Sequence, residues 1–388
     1  MQLPQEVREI LLRLEQAGHR GWAVGGCVRD LLRGQTPHDW DLCTDALPEQ
    51  TIAAFRGEPV AAPGLAHGTV TLVRQGVPYE ITTLRAETGY ADGRHPDRVE
   101  FVAQLEKDLA RRDFTVNAMA MDRTGRVTDC FGGREDLAAG LLRCVGDPDR
   151  RFAEDGLRIL RALRFAAVLG FSVHPATAAA LHRQKGMLAH VSAERVTAEL
   201  LALLGGGKAG AVCAGYPDIL ALLVPGRWDR RLCDALDSLP PDALTRLCFL
   251  RAVLGERAAA GLRLSRAQAR TLEQVASHWQ APLHTRADLL RLAGRLGWEN
   301  AARLLDCRRA AGEEIDRAGF AALAGENPCC TASQLSIDGR TLARMGAKGA
   351  QIGQLLHKLL DEVIDGQTPN TSPALAARAA ALLAKPLP

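Results

Sequence analysis

The chain has 388 residues, 47% of them hydrophobic and 24% charged, which excludes a disordered or collagen-like protein and, by length, favours more than one domain. Its 48 basic and 45 acidic residues leave a net charge of +3; this excludes a histone-like polycation but leaves room for a local nucleic-acid-binding patch. Ten scattered cysteines without a CxxC pair argue against a disulfide scaffold or a zinc knuckle and read as reduced thiols of a cytoplasmic protein.

Leu3, Val7, Ile10, Leu11 and Leu14 share one helical face over 3–17. Trp22-Ala23-Val24 reads as a strand, and Gly25-Gly26 as a turn opening a helix through Leu32. Asp39 to Thr44 alternates at period two and predicts a half-buried strand. Two more strands, 69–73 and 79–82, form a hairpin. The glycine-, proline- and charge-rich stretch 86–98 reads as a mobile loop. A helix covers 103–109, and short strands are expected at 127–129 and 142–144. After Asp147-Pro148 the apolar period becomes 3.6 residues, with helices at 151–169, 175–184, 192–203, 241–254, 266–276, 286–294, 297–311, 316–323, 350–364 and 373–384. No run of about 18 apolar residues suits a membrane span, and the first residues lack the basic-then-apolar pattern of a signal peptide.

Three head motifs carry chemistry. Gly25-Gly26, between a strand and a helix, lets phosphate oxygens approach backbone N–H groups, with Arg29 one turn further in. Asp39-x-Asp41 puts two carboxylates on one strand face, a costly pairing unless a hard cation such as Mg2+ neutralises it. In Arg111-Arg112-Asp113-Phe114-Thr115-x-Asn117, Arg112 can hold a triphosphate and Asp113 can order an arginine or cap a helix. Over 151–169, read as one helix of 3.6 residues per turn, Arg151, Glu154, Asp155, Arg158, Arg161 and Arg164 share an arc of about 180°. Leu157 and Phe165 fall inside that arc, which predicts contact with another element. Asp155 can accept from a base amino group, and Arg158 can donate to a ring nitrogen or carbonyl, a pairing that discriminates by roughly 1–3 kcal/mol.

In combination these motifs resemble the class II tRNA nucleotidyltransferases, or CCA-adding enzymes, whose superfamily also holds bacterial poly(A) polymerases. The matching segments run in the family's order from Gly25-Gly26-Cys27-Val28-Arg29-Asp30 through Asp39-Trp40-Asp41 and Arg111 to Ala120. They continue with Asp147-Pro148-x-x-Arg151-Phe152-x-Glu154-Asp155-x-x-Arg158 through Phe165, then Ser192-Ala193-Glu194-Arg195 with Glu199-Leu200, and a weaker tail at 339–360. The resemblance implies an α+β protein, with a palm-like nucleotidyltransferase head of mixed β-sheet at 1–147. A helical neck at 148–204, body at 205–325 and tail at 326–388 follow, the last three all-helical. It implies catalysis by Asp39 and Asp41, holding Mg2+, and nucleotide binding by Gly25, Gly26, Arg29 and Arg112. On the neck, Asp155 and Arg158 would form a protein template selecting CTP, then ATP, with Glu154 orienting Arg158, and Arg161 and Arg164 reaching phosphates or holding the neighbouring network. The helical remainder would grip the tRNA acceptor arm. The flexible loop keeps the family's Tyr90, Asp92, Arg94 and Pro96, but His95 stands where an arginine is usual. Relatives lacking this loop add only CC, so its presence favours full CCA addition. Alternatives are a poly(A) polymerase, an enzyme adding only A or only CC, or a non-catalytic RNA-binding protein; the last is disfavoured by the intact acids and arginines.

Overall fold

Period-two alternation in the first 130 residues closes into a seven-stranded mixed sheet in the computed structural model, which describes residues 3–65, 68–88 and 98–384. Tyr90, Asp92, Arg94 and His95 lie outside the described residues. Helix α1 (Gln5–Gln16) leads into β1 (Gly21–Val24), α2 (Gly26–Leu32), β2 (Asp41–Thr44), α3 (Pro48–Ala54), β3 (Val60–Gly64), β4 (Thr69–Arg74) and β5 (Val77–Thr83). A separate ribbon pairs β6 (Arg85–Thr88) with β7 (Arg98–Phe101), followed by α4 (Leu105–Ala110). Strands β8 (Met119–Met121) and β9 (Val127–Asp129), helix α5 (Gly133–Ala138) and strand β10 (Leu141–Leu142) complete the head. The sheet order is β3-β4-β5-β2-β1-β8-β9, with β2 parallel to β5 and its other neighbours antiparallel.

Alternate residues separate two cores. Ala23, Leu42, Met119 and Met121 pack with Leu72, Ile81 and the apolar stripe of α1, while Val24, Cys43 and Ala120 pack with Leu84, Leu109 and Val145 on the opposite face. The β4–β5 hairpin turns on Gln75 and Gly76, both with positive φ (51° and 79°), the backbone of a two-residue primed turn that matches strand twist.

The neck differs from the expectation of one helix over 151–169. Helix α6 (Pro148–Glu154) ends, Asp155 is extended, and α7 (Leu157–Leu169) begins afresh. A Cβ on Gly156 would lie 2.5 Å from the Met187 carbonyl oxygen, so the chain turns where only glycine fits. Strand β11 (Ser172–Val173) pairs with β10, and α8 (Pro175–Gln184), α9 (Ala193–Leu204), α10 (Ala209–Gly215) and α11 (Pro217–Leu223) follow. By packing the chain forms two units, Met1–Leu223 and Val224–Pro388, the first including α10 and α11.

The second unit is helical: α12 (Arg230–Ser238), α13 (Ala243–Leu254), α14 (Arg266–Ser277), α15 (Arg286–Leu296), α16 (Trp298–Ala310), α17 (Arg317–Gly325), α18 (Gly339–Arg344), α19 (Ala350–Ile364) and α20 (Ser372–Leu383). Side chains of Asp229, Asp242, Ser265, Thr285, Asp316 and Asp338 accept backbone N–H bonds at the starts of six of these, each cap typically worth about 1 kcal/mol. Leu342, Leu355, Leu359, Leu375 and Ala379 form one of its cores. Among the described residues no single helix is long and apolar enough to cross a membrane.

Candidate active site

A cleft of about 670 Å³ opens in the first unit, lined by the β1–α2 turn, the approach to β2, the segment after α4, and α7. Gly25, with φ of 80°, makes the turn; its N–H donates to the Met119 carbonyl at 3.2 Å. A Cβ there would lie 3.0 Å from Arg112 Nη1, so the glycine serves both backbone conformation and the arginine's approach.

Asp39 and Asp41 both line the cleft, but they do not share a strand. β2 starts at Asp41, since β1 ends at Val24 and Gly25 turns away, leaving Asp39 no partner strand on that side. Burial, with Asp39 adding repulsion, raises the Asp41 carboxyl above its ordinary value against the pull of Arg112. Among the described residues neither carboxylate has an ion-pair partner within 4 Å.

Arg112 Nη2 donates to Asp108 Oδ2 at 3.3 Å, while its Nε is buried without a hydrogen-bond partner among the described residues. Asp108, fully buried in α4, also accepts from Arg111 Nε and Nη2 at 2.9 and 2.8 Å. Burial pushes the Asp108 carboxyl upward, but the two arginines and their hydrogen bonds outweigh it and hold it below the usual carboxylate range. Arg29 lines the cleft, yet its donors are engaged: Nε and Nη2 with Asp30 at 2.9 Å each, and Nη1 with Asn117 Oδ1 at 2.7 Å. The structure thus braces Arg29 rather than leaving its fork open.

Neck residues approach from the other wall. Arg158 Nη1 donates to Glu154 Oε2 at 2.7 Å and to the Arg151 carbonyl at 3.1 Å; Nη2 donates to the Arg111 carbonyl at 3.0 Å. Arg161 binds Asp113 Oδ2 at 2.7–2.8 Å, and Asn117 Nδ2 donates to Asp113 Oδ1 at 3.2 Å. Arg164 Nε donates to Glu199 at 2.5 Å. Phe165 gathers three guanidiniums, with Arg164, Arg161 and Arg29 at 4.0, 5.2 and 5.3 Å from its ring centre, and meets Phe114 edge-on at 5.8 Å. This is the contact predicted from its place inside the polar arc.

The structure therefore brings Gly25, Gly26, Arg29, Asp39, Asp41, Arg112, Arg158, Arg161 and Arg164 together around one cavity. Glu154 and Asp155 stand outside its lining. Glu154 backs Arg158, and Asp155 accepts from the Leu157 N–H at 3.0 Å and from Arg195 Nη2 at 2.8 Å. Asp108 and Phe165 were not singled out for the site. Their signals were weak: one acid in a short amphipathic helix, and one aromatic in the wrong arc.

A mixed sheet presenting paired aspartates to a wall of arginines defines a nucleotidyltransferase head. Residues 21–143 match the family described as the poly A polymerase head domain, and 170–213 the one described as a probable RNA and SrmB-binding site of polymerase A. The CCA-adding enzyme of Lactobacillus delbrueckii subsp. bulgaricus is 35% identical over 401 aligned positions, 95% of each chain. That of Leuconostoc mesenteroides is 43% identical over 248 residues, 63% of this chain and 61% of the relative. The crystal structure of the Bacillus stearothermophilus CCA-adding enzyme in complex with CTP superposes with a TM-score of 0.81 at 29% identity, over 98% of this chain and 97% of that one. A Thermotoga maritima CCA-adding enzyme complexed with tRNA shares the fold, with a TM-score of 0.71 at 20% identity over 98% and 97% of the two chains. The chain belongs to the CCA-adding enzyme family of tRNA nucleotidyltransferases.

Proposed function

We propose that this protein adds C, C and A in turn to the 3′ end of tRNA, taking CTP and ATP as donors and releasing pyrophosphate. The observation that carries this reading is the single cleft in which Asp39 and Asp41 face arginines from both the head and the neck. Family membership supports the tRNA substrate and the ATP donor, and the CTP-bound relative at 29% identity supports the CTP donor.

The two aspartates fit Mg2+. They offer hard oxygen atoms, and the raised Asp41 carboxyl marks a charge that a cation would stabilise. No cluster of three or more candidate metal-binding side chains occurs among the described residues; phosphate oxygens and water would complete the shell, as Mg2+ prefers. When bound, the ion lowers the pKa of an attacking hydroxyl and offsets charge on the leaving pyrophosphate.

The chain's own residues position the reactants. Arg112, whose Nη1 lies at the Gly25 turn, meets the triphosphate. Arg158, backed by Glu154, presents its fork to a base edge, and Asp155 joins it by exchanging Arg195 for a base amino group. Asp113 and Glu199 fix Arg161 and Arg164, so that these cations need no reordering when a polyanion arrives. The tRNA 3′ hydroxyl attacks the α-phosphorus, the α–β bridging bond breaks, and pyrophosphate departs. We place this reaction in the cytoplasm; ten free cysteines, eight of them buried, suit a reducing compartment.

Incubating the protein with tRNAs ending at the discriminator base, at C and at CC, with each nucleoside triphosphate separately, tests the reading. Expected are C addition to the first two and A addition to the third. Repeated A addition to any end, or no incorporation, would overturn it.

A further inference from the structure

Arg112 has an acidic group on either side. Toward the protein interior is Asp108, fully buried and outside the cleft lining. Its carboxylate touches Arg112 Nη2 at 3.3 Å while also holding Arg111 and the Arg85 backbone N–H. Toward the cleft is Asp41. A Cβ on Gly25 would sit 3.0 Å from Arg112 Nη1 and 3.9 Å from both Asp41 Oδ2 and the Asn117 carbonyl oxygen, so the guanidinium and the carboxylate approach one point from different directions. They nevertheless form no ion pair within 4 Å. A guanidinium with a carboxylate within such easy reach closes on it unless another acid holds it.

We propose that Asp108 is a positioning residue that restrains Arg112 from pairing with Asp41, so that the guanidinium stays open to a polyphosphate and the carboxylate to a cation. This rests on the reading of the cleft as a triphosphate site. Removing the Asp108 charge leaves Arg112 buried and underpaired, and it swings to Asp41. The arginine and the carboxylate then neutralise each other, and the cleft loses both the guanidinium turned toward a polyphosphate and the carboxylate turned toward a cation.

The test is calorimetric binding of inorganic tripolyphosphate to the full chain in metal-free buffer. It compares wild type, Asp108→Asn, Asp41→Asn and the double variant. Removing a carboxylate near the cleft strengthens anion binding by long-range electrostatics alone. A weakening on Asp108→Asn therefore runs against long-range electrostatics and marks a misplaced arginine, and the double variant assigns it to Arg112 closing on Asp41 rather than to Arg111. The expected result is binding about tenfold weaker for Asp108→Asn, equivalent to about 1.4 kcal/mol. In that background Asp41→Asn should restore affinity to within about threefold of wild type, a larger gain than it gives alone. Unchanged or tighter binding by Asp108→Asn overturns the proposal, as does a double variant as weak as Asp108→Asn. If Asp108→Asn does not fold, Asp108→Ser, which leaves room for water beside the arginines, carries the same comparison. Wild-type protein that binds no tripolyphosphate would instead refute the triphosphate reading itself.

Discussion

Replacing Glu154 by Gln isolates what holds Arg158, the arginine proposed to read the base. Arg158 is fixed by one carboxylate at 2.7 Å and by the carbonyls of Arg151 and Arg111 at 3.1 and 3.0 Å. Glu154 is 8% exposed and also binds Arg151 Nη2 at 2.6 Å. Gln keeps the side-chain length and one acceptor oxygen but removes the charge. A hydrogen bond to a charged group contributes about 1.5–3 kcal/mol and a neutral one about 0.5–1.5, so Arg158 loses roughly 1–1.5 kcal/mol of restraint. The two carbonyls still engage it, so it loosens without being released. The equilibrium between the correctly held guanidinium and its alternatives then shifts by roughly five- to tenfold, the most by which the correctly presented fraction can fall. Only the correct base gains from a correctly held arginine, so the preference for CTP over UTP should fall by up to the same factor. Single-turnover rates on tRNA ending at the discriminator base, with CTP and with UTP, measure that ratio, and the KM for tRNA should stay unchanged. A thermal denaturation curve separates loosening from unfolding. An unchanged CTP/UTP ratio, with lower stability, would show Glu154 to be a structural brace alone and refute the reasoning.

Asp39→Ala and Asp41→Ala should each lower nucleotide incorporation by more than about a hundredfold, as expected when an electrostatic element of the transition state is removed; far-UV circular dichroism should stay native, and activity within tenfold of wild type would remove them from the chemistry. Gly156→Ala should destabilise the first unit by about 1–3 kcal/mol, the usual cost of overpacking, because its Cβ would meet the Met187 carbonyl at 2.5 Å; an unchanged thermal midpoint would contradict this. Asp113 has its pKa below the usual carboxylate range because Arg161, Asn117 and the Phe114 N–H outweigh burial. A depressed folded-state pKa gives stability that is present above the unfolded value of about 3.9 and is lost as pH falls through the folded value. Wild-type stability should therefore drop below about pH 4, whereas Asp113→Asn should be less stable at neutral pH and show a flatter acid limb in urea titrations at several pH values; parallel acid limbs would count against the pairing.

Much of the fold was legible because single residues enforce it locally. Gln75-Gly76 sets the hairpin, and the period of apolar residues locates α13 to α17 within a few positions. The sheet order was not legible, since β2 lies beside β5 through a long-range parallel pairing that no local pattern encodes. The break in the neck is hidden because the apolar period continues across it, although Asp155-Gly156 is itself a turn signal. That break decides the site: it points Asp155 at Arg195 and leaves Glu154 to Arg158. The head motifs identify which residues line the cleft, but not that Arg29 is already engaged, because Asn117 lies 88 positions away in sequence.

Six arginines line this cleft against four aspartates, and the crowding must be stabilised before any ligand arrives. Two guanidiniums about 5 Å apart repel by about 3 kcal/mol at an effective dielectric constant of 20. All six arginines have a carboxylate partner: Asp30 for Arg29, Asp108 for Arg111 and Arg112, Glu154 for Arg158, Asp113 for Arg161, and Glu199 for Arg164. Three of them also lie over the ring of Phe165, which attracts cations without presenting a competing anion. Acids that offset the repulsion without closing the cleft allow the field toward a bound polyanion to remain positive at short range. At longer range the charges cancel. A net charge of +3 across 388 residues is therefore compatible with a site that receives a polyphosphate, because what the anion meets is the orientation of a few paired guanidiniums and not the sum over the chain.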